Sequence, residues 1–213
     1  MTSVALVLYP GFTALDIVGP FQTLAGVPGL DVFFVAETAG EVLDDTGRFS
    51  LRAQKSFAEV PNPDVVVVPG GFGARSATEK DPLVVWLRQV YPSATWMTSV
   101  CTGAAFLGQA GFLEGISATT HWAFVDLIEK RGATYTEQRV VIVGKVITAA
   151  GVSSGIDMGL TLVSILVNDE VAKMVQLAIE YDPQPPFDSG APSKVSPEFL
   201  RNVRKAMGVD ATT

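Results

Sequence analysis

Short apolar runs that end near glycine or proline alternate with amphipathic stretches along this chain. Four of the runs have the length of a buried strand, at residues 4–9, 30–37, 64–68 and 95–100. The run at 64–68 is almost entirely β-branched, as expected for a strand covered on both faces. Such alternation is typical of parallel strands joined by helices. The pattern therefore predicts an α/β fold: a doubly wound, mostly parallel sheet flanked by helices.

The amphipathic stretches and their capping residues predict the remaining elements. Proline follows aspartate at 81–82 and serine at 196–197, an arrangement that favours the start of a helix. A Gly-Lys pair at 144–145 predicts a hairpin between residues 139–143 and 146–149. Helices are predicted at 16–25, 82–90, from 104 onward, at 122–130, at 155–180 with a break near 168–169, and from 197. We predict one domain over 1–213, with an extended proline-rich arm at 183–192.

Composition and charge exclude several classes of function. The net charge of −7, with no basic cluster, argues against a nucleic-acid partner. One cysteine and one histidine leave no internal disulfide, no CxxC zinc site and no convincing metal site. No basic-then-apolar leader and no apolar run of about 20 residues is present. We expect a cytoplasmic protein without a metal site or a membrane partner.

Cys101, the single cysteine, lies where the strand at 95–100 gives way to a helix. A nucleophile on such an elbow is lifted clear of the sheet and faces the unpaired N–H groups of the helix. We expect this position to lower the thiol pKa, and Gly103 to let the helix pack closely under the turn. The alternative is a buried structural cysteine. The turn position favours the nucleophile.

Asp16 follows the first strand and is enclosed in sequence by Leu15, Ile17 and Val18. Apolar surroundings raise the pKa of a carboxyl group and suit it to proton transfer. The alternative interpretation is a helix N-cap, since aspartate is common there. Other acids, such as Asp45, are expected on the solvated surface.

Further candidates follow the strand at 64–68 and the elbow. Gly70 and Gly71 can offer bare N–H groups to developing negative charge, and Thr102 can add a second N–H donor. The alternative interpretation of these glycines is a phosphate-binding loop. However, the sequence Pro-Gly-Gly-Phe-Gly at 69–73 matches neither of the nucleotide-binding motifs GxxxxGK(S/T) and GxGxxG. The remaining predicted pocket residues are Phe72, His121 and Trp122; His121 either acts as a base or orients its neighbours.

These segments together resemble the PfpI-like superfamily, which has a flavodoxin-like, class I glutamine amidotransferase-like fold with a nucleophile elbow. The residues that carry the resemblance are the Val-Cys-Thr-Gly elbow at 100–103, Pro-Gly-Gly at 69–71, Leu-Asp-x-x-Gly-Pro at 15–20 and Thr-Thr-His-Trp at 119–122. The resemblance covers the chain from the first strand to about Pro192. Within the superfamily it is greatest to the isonitrile hydratases, which share these segments and the proline-rich tail.

The resemblance implies that Cys101 is the nucleophile, Asp16 the essential acid and Thr102 a functional residue. It implies hydration of isonitriles to N-substituted formamides through a Cys101 thioimidate, by a homodimer without metal or cofactor. Branches with peptidase activity carry histidine after the cysteine, so Thr102 argues against that activity. Two alternatives stay open: a cysteine-based redox sensor or glyoxalase-like protein of the same superfamily, and a ligand-sensing module like the N-terminal domains of AraC-type regulators.

Overall fold

The structure, a computed structural model, describes residues 1–209 and has the alternating elements that the sequence pattern predicts. The strands are β1 (Thr2–Val7), β2 (Leu30–Ala36), β3 (Gly40–Leu43), β4 (Ser50–Ala53), β5 (Lys55–Ser56), β6 (Val65–Val68), β7 (Trp96–Val100), β8 (Ser117–Ala118), β9 (Thr134–Tyr135), β10 (Val140–Val143) and β11 (Val146–Ala149). The helices are α1 (Ala14–Leu24), α2 (Phe72–Arg75), α3 (Pro82–Val90), α4 (Ala104–Gln109), α5 (Asp126–Glu129), α6 (Ser154–Leu166), α7 (Asp169–Ala178) and α8 (Pro197–Ala206).

Seven strands form the central sheet in the order β10-β11-β7-β6-β1-β2-β5, and all neighbours are parallel except β10 and β11. The chain moves from β1 to β2 in one direction and from β6 to β7 in the other. Right-handed crossovers then place α1 and α3 on opposite faces. This confirms the doubly wound sheet. Its strand order reverses between β1 and β6, where such folds bind ligands.

The core lies between the sheet and the two helical layers. All four side chains of β6 are fully buried, as its β-branched run predicts for a strand covered on both faces. Those of β1 and β7 are buried except at the start of each strand. On one face α1 packs against α6; α4 contacts both α3 and α5. Within residues 1–209, no helix combines the length and apolarity that crossing a membrane requires.

The predicted long helix at 155–180 does break near Asn168. Its side chain accepts a hydrogen bond from Val171 N–H and caps α7. The predicted hairpin is also present, with Gly144 in its turn at φ 58°. The arm at 183–192 forms no helix or strand before a short turn that begins at Pro192, and Ser196 caps α8.

One predicted helix is wrong. The stretch 122–130 divides into a 3-10 turn at Trp122–Phe124 and the single-turn helix α5. Tight bonds three residues apart, such as Phe124 N–H to His121 C=O, replace a continuous helical ladder. The aromatic and β-branched residues at this start have low helix propensity, which favours the break.

Candidate active site

Three segments that follow neighbouring parallel strands meet at the carboxyl edge of the sheet. Asp16 lies in α1 after β1, Gly70 and Gly71 follow β6, and Cys101 follows β7. Asp16 accepts a hydrogen bond from Gly70 N–H. A Cβ on Gly70 would lie within 2.7 Å of Asp16 Oδ2, Thr102 N and Thr102 Oγ1, so these groups crowd around the same point. Residues far apart in sequence are therefore assembled at the point where the strand order reverses.

Cys101 has φ 57°, a left-handed conformation that residues with a side chain rarely adopt. It begins the 3-10 turn Cys101–Gly103 that leads into α4. A Cβ on Gly103 would lie 2.4 Å from Val68 C=O, so only glycine allows the turn to pack this closely on β6. The predicted elbow is present, and its strained backbone persists because the surrounding packing fixes it.

Asp16 is completely buried, and its Oδ2 accepts a hydrogen bond of 2.8 Å from Gly70 N–H. Burial raises the pKa of Asp16 to about 7, although hydrogen bonds from Gly70 N–H and the Cys101 side chain act to lower it. Thr13, not Asp16, is the N-cap residue of α1, so the N-cap interpretation of Asp16 is wrong. This carboxyl group can both give and take a proton near neutral pH.

Thr102 joins the elbow to the glycine segment. Its Oγ1 accepts a hydrogen bond of 2.9 Å from Gly71 N–H and lies 3.2 Å from Gly71 C=O. The N–H groups of Gly70 and Gly71 were expected to face developing charge, but Asp16 and Thr102 already occupy them. This expectation is therefore corrected: the two glycines hold the side chains of Asp16 and Thr102 in place.

The predicted lowering of the Cys101 pKa is also wrong. Burial raises the pKa of the Cys101 thiol well above its ordinary value, and the neighbouring Asp16 charge raises it further. Hydrogen bonds from the N–H groups of Thr102 and Val152 lower it, but by less. The sequence predicted a lowered pKa because it revealed the helix start and not the depth of burial. The direction of this shift favours the protonated thiol over the thiolate.

A cavity of about 330 Å³ opens on Cys101. Of the predicted pocket residues, it includes Gly71, Phe72 and His121. Gly70 is not among the residues that line it, and Trp122 lines two other cavities. The full lining is Thr13, Asp45, Gly71, Phe72, Arg75, Cys101, Thr102, His121, Phe124, Val152, Ala206 and Met207.

His121 is a neutral side chain on the cavity wall. Its Nδ1 accepts a hydrogen bond of 3.2 Å from Ala123 N–H. Burial lowers the pKa of His121 to about 4, and the positive charge of Arg75 lowers it further. A histidine with this pKa orients groups near neutral pH and is poorly matched to proton transfer there. Among residues 1–209, no three His, Cys, Asp or Glu side chains cluster as metal ligands would.

The comparisons with known proteins agree with this architecture. Residues 2–165 match the DJ-1/PfpI family. The chain belongs to that family. It is 39% identical over 202 residues to isonitrile hydratase from Pseudomonas putida, which covers 95% of this chain and 88% of the relative.

Another DJ-1/PfpI relative is a solved structure, a THiJ/PfpI family protein from Pseudomonas syringae. It superposes with a TM-score of 0.89 at 35% identity and covers 97% of this chain and 84% of its own. The chain is also 27% identical to the HTH-type transcriptional regulator CdhR of Pseudomonas aeruginosa. That match covers 79% of this chain and 52% of the regulator.

Several residues of this DJ-1/PfpI site escaped the sequence reasoning. Asp45, expected on the solvated surface, lines the cavity and accepts a hydrogen bond of 2.5 Å from Thr13 Oγ1. Val152 could have been found, because it follows β11, whose carboxyl end lies beside that of β7. Arg75 is the last residue of α2, the one-turn helix that directly follows Gly70 and Gly71. Nothing in the sequence indicates that Met207 reaches the same cavity.

Proposed function

We propose that this DJ-1/PfpI protein hydrates isonitriles to N-substituted formamides, with Cys101 as nucleophile and Asp16 as proton carrier. The observation that carries the proposal is a buried carboxyl group with a pKa of about 7 beside a buried neutral thiol, next to a small cavity. The 39% identity to an isonitrile hydratase over nearly the whole chain supports the same chemistry.

In the first step the ionised Asp16 takes the thiol proton of Cys101 and delivers it to the isonitrile carbon. The sulfur bonds to that carbon as the carbon gains the proton, and R–N≡C becomes the thioimidate R–N=CH–S–Cys. The raised thiol pKa is compatible with this step because the proton moves directly to a neighbouring base. The N–H groups of Thr102 and Val152 stabilise negative charge on the sulfur.

In the second step Asp16 accepts a proton from water as the water oxygen attacks the thioimidate carbon. Asp16 then donates this proton to the nitrogen, and the tetrahedral adduct R–NH–CH(OH)–S–Cys forms. Collapse of the adduct breaks the carbon–sulfur bond, releases R–NH–CHO and returns a proton to the sulfur. One carboxyl group can serve both steps because its pKa lies near the working pH.

The redox-sensor alternative depends on a thiolate that meets peroxide. Cys101 is only 6% exposed, and its raised pKa keeps it protonated, and both properties slow oxidation. The sensing-module alternative has the similarity to a transcriptional regulator in its favour. A sensing module has no use for a buried carboxyl group that titrates near neutral pH beside the thiol, whereas a redox sensor or a glyoxalase-like enzyme can use the same pair, so turnover decides between these and hydration.

The test is turnover of cyclohexyl and benzyl isocyanide, with formamide measured by mass spectrometry. We expect formamide from the wild type and none above background from Cys101→Ala. A sulfinic mass increase under mild peroxide without any turnover would instead favour the sensor. Turnover of methylglyoxal without formamide from any isonitrile would favour the glyoxalase-like reading.

A further inference from the structure

Arg75 is a cation on the cavity wall that the proposed hydration step does not use. It lies in α2, directly after the glycine segment, and lines the same cavity as Cys101, Thr102 and His121. Isonitriles are neutral, and their addition to a thiol needs no fixed positive charge. A partly buried guanidinium in this place therefore requires its own explanation.

Two aromatic rings hold the guanidinium. Its central carbon lies 4.4 Å from the ring centroid of Phe72 and 4.2 Å from that of Phe124. Stacking of this kind fixes the plane of an arginine while leaving its N–H donors free to bind acceptors in that plane. The side chain is thus preorganised before any ligand arrives.

The donors of Arg75 are largely unused among residues 1–209. Nη1 donates to Met207 C=O at 3.3 Å, and buried Nε has no acceptor. Among the described residues that line the cavity, Asp45 is the one carboxylate; it forms no salt bridge with the guanidinium and accepts a hydrogen bond from Thr13 Oγ1 instead. Burial lowers the pKa of Arg75 from its high ordinary value, yet arginine keeps its charge in proteins.

We infer that Arg75 binds a carboxylate carried by the substrate, so that the preferred substrates are small isonitriles bearing a carboxylate group. The inference rests on the proposed function and specifies its substrate class. An arginine fork matches a carboxylate in two parallel hydrogen bonds, and the low polarity of the surrounding rings strengthens them. The cavity of about 330 Å³ limits the group between the isonitrile and the carboxylate to a few carbon atoms or one ring.

The test compares matched substrate pairs: isocyanoacetate and 4-isocyanobutanoate, each with its methyl ester. Esterification removes the negative charge and leaves the isonitrile unchanged. We expect at least one carboxylate to exceed its ester in kcat/KM by about 10-fold or more in the wild type. Arg75→Gln is expected to reduce that ratio by about 10- to 100-fold, mainly through KM, because the contact binds the ground state and the transition state alike.

Two further variants separate binding from structure. Arg75→Lys keeps the charge without the planar fork, and we expect it to retain part of the preference. Asp45→Asn removes from the cavity a negative charge that repels the substrate carboxylate. We expect it to raise the ratio of kcat/KM for the carboxylate to kcat/KM for its ester. Arg201→Gln is the matched control, because it removes an exposed positive charge outside the cavity and is expected to change nothing.

The inference is overturned if the wild type prefers the esters, or if Arg75→Gln leaves the ratio unchanged. A loss of ester turnover equal to the loss of carboxylate turnover also contradicts it, since Arg75 would then act only through the fold. Calorimetric binding of N-formylglycine, against its methyl ester, tests Arg75 without turnover. Arg75-dependent binding with no hydration of any isonitrile would overturn the proposed function and keep the carboxylate site.

Discussion

Burial raises the pKa values of both Cys101 and Asp16. The proposed mechanism therefore relies on proton transfer from Cys101 to the adjacent carboxylate and not on a resting thiolate. We predict that Cys101→Ala abolishes formamide production and leaves the melting temperature near that of the wild type, because it removes one sulfur atom from a turn whose backbone is fixed by packing. Mass spectrometry and circular dichroism check both parts. Undiminished turnover by the variant would rule out covalent catalysis.

Asp16→Asn keeps the shape of the side chain and removes its titrating proton. The amide oxygen can still accept from Gly70 N–H, so the local structure is expected to survive. We predict that kcat/KM falls by about 100-fold or more, the usual contribution of a positioned acid or base. A rate within a few-fold of the wild type would assign Asp16 a structural role alone.

The same substitution has a predicted effect on stability. The pKa of Asp16 is about 7 in the folded state against an ordinary value of 3.8, so between these pH values the folded protein holds a proton that the unfolded chain has lost. Stability therefore falls as pH rises through this window, by about 4 kcal/mol at most above pH 7. Asp16→Asn lacks this loss. Calorimetric melting should give equal stability at pH 4 and a more stable variant at pH 8; the reverse order would contradict the raised pKa.

At the scale of elements, Thr102 ties the β7 elbow to the loop after β6. Thr102→Val removes the acceptor of Gly71 N–H and leaves a buried donor without a partner, which costs about 1–3 kcal/mol. Thr102→Ser keeps the hydroxyl and is the matched control. We predict a lower melting temperature and reduced kcat/KM for valine, with both restored by serine. Equal behaviour of the two variants would show that the hydroxyl does not hold the loop.

Gly70 is another closely packed point of that junction. A Cβ there would lie 2.6 Å from Thr102 N and 2.7 Å from both Asp16 Oδ2 and Thr102 Oγ1. We predict that Gly70→Ala loses turnover through displaced catalytic groups, whereas Gly26→Ala, where an added Cβ meets no atom within 4 Å, is the matched control. Turnover assays of the two variants check this. Wild-type turnover by Gly70→Ala would mean that the junction is not needed in this exact geometry.

The elements could be predicted because their signals are local. A β-branched run such as β6 and an Asp-Pro start such as that of α3 each depend on neighbouring residues. The elbow at Cys101 follows from the same strand and helix signals. The partners of Gly71 N–H and the raised thiol pKa depend on contacts across tens of residues, which periodicity does not encode. The sequence therefore identified candidate site residues, but it did not predict their hydrogen-bond partners or the direction of the thiol pKa shift.

At the scale of the molecule, the C-terminal end of α8 completes a cavity built mainly by strand ends. Ala206 and Met207 line it, and Met207 C=O accepts from Arg75. More than 100 residues separate Met207 from either Arg75 or Cys101, and no motif links them. The sequence predicted α8 from its Ser-Pro start but could not predict where it docks. The hydrogen bond from Arg75 to Met207 C=O therefore connects the cavity wall to the end of α8, the last described helix.

The helices α6 and α7 carry apolar side chains that nothing in the described chain covers. Ile165, Val167, Met174 and Leu177 are all exposed, Leu177 to 79%, and no residue of α7 is buried. An amphipathic helix left in this state is typical of an interface. The resemblance to PfpI-like proteins implies a homodimer, and a second copy of this chain would bury an apolar face of this kind.

We therefore expect a homodimer in solution whose interface includes α7. Light scattering at micromolar concentration should give twice the chain mass. Leu177→Lys places a charge on the apolar face and is expected to shift the protein toward the monomer, because an unpaired charge is costly to bury at an interface. Lys173→Glu alters charge on the same helix and serves as the control. A monomeric wild type would contradict the dimer, while a dimeric Leu177→Lys variant would move its interface to another face.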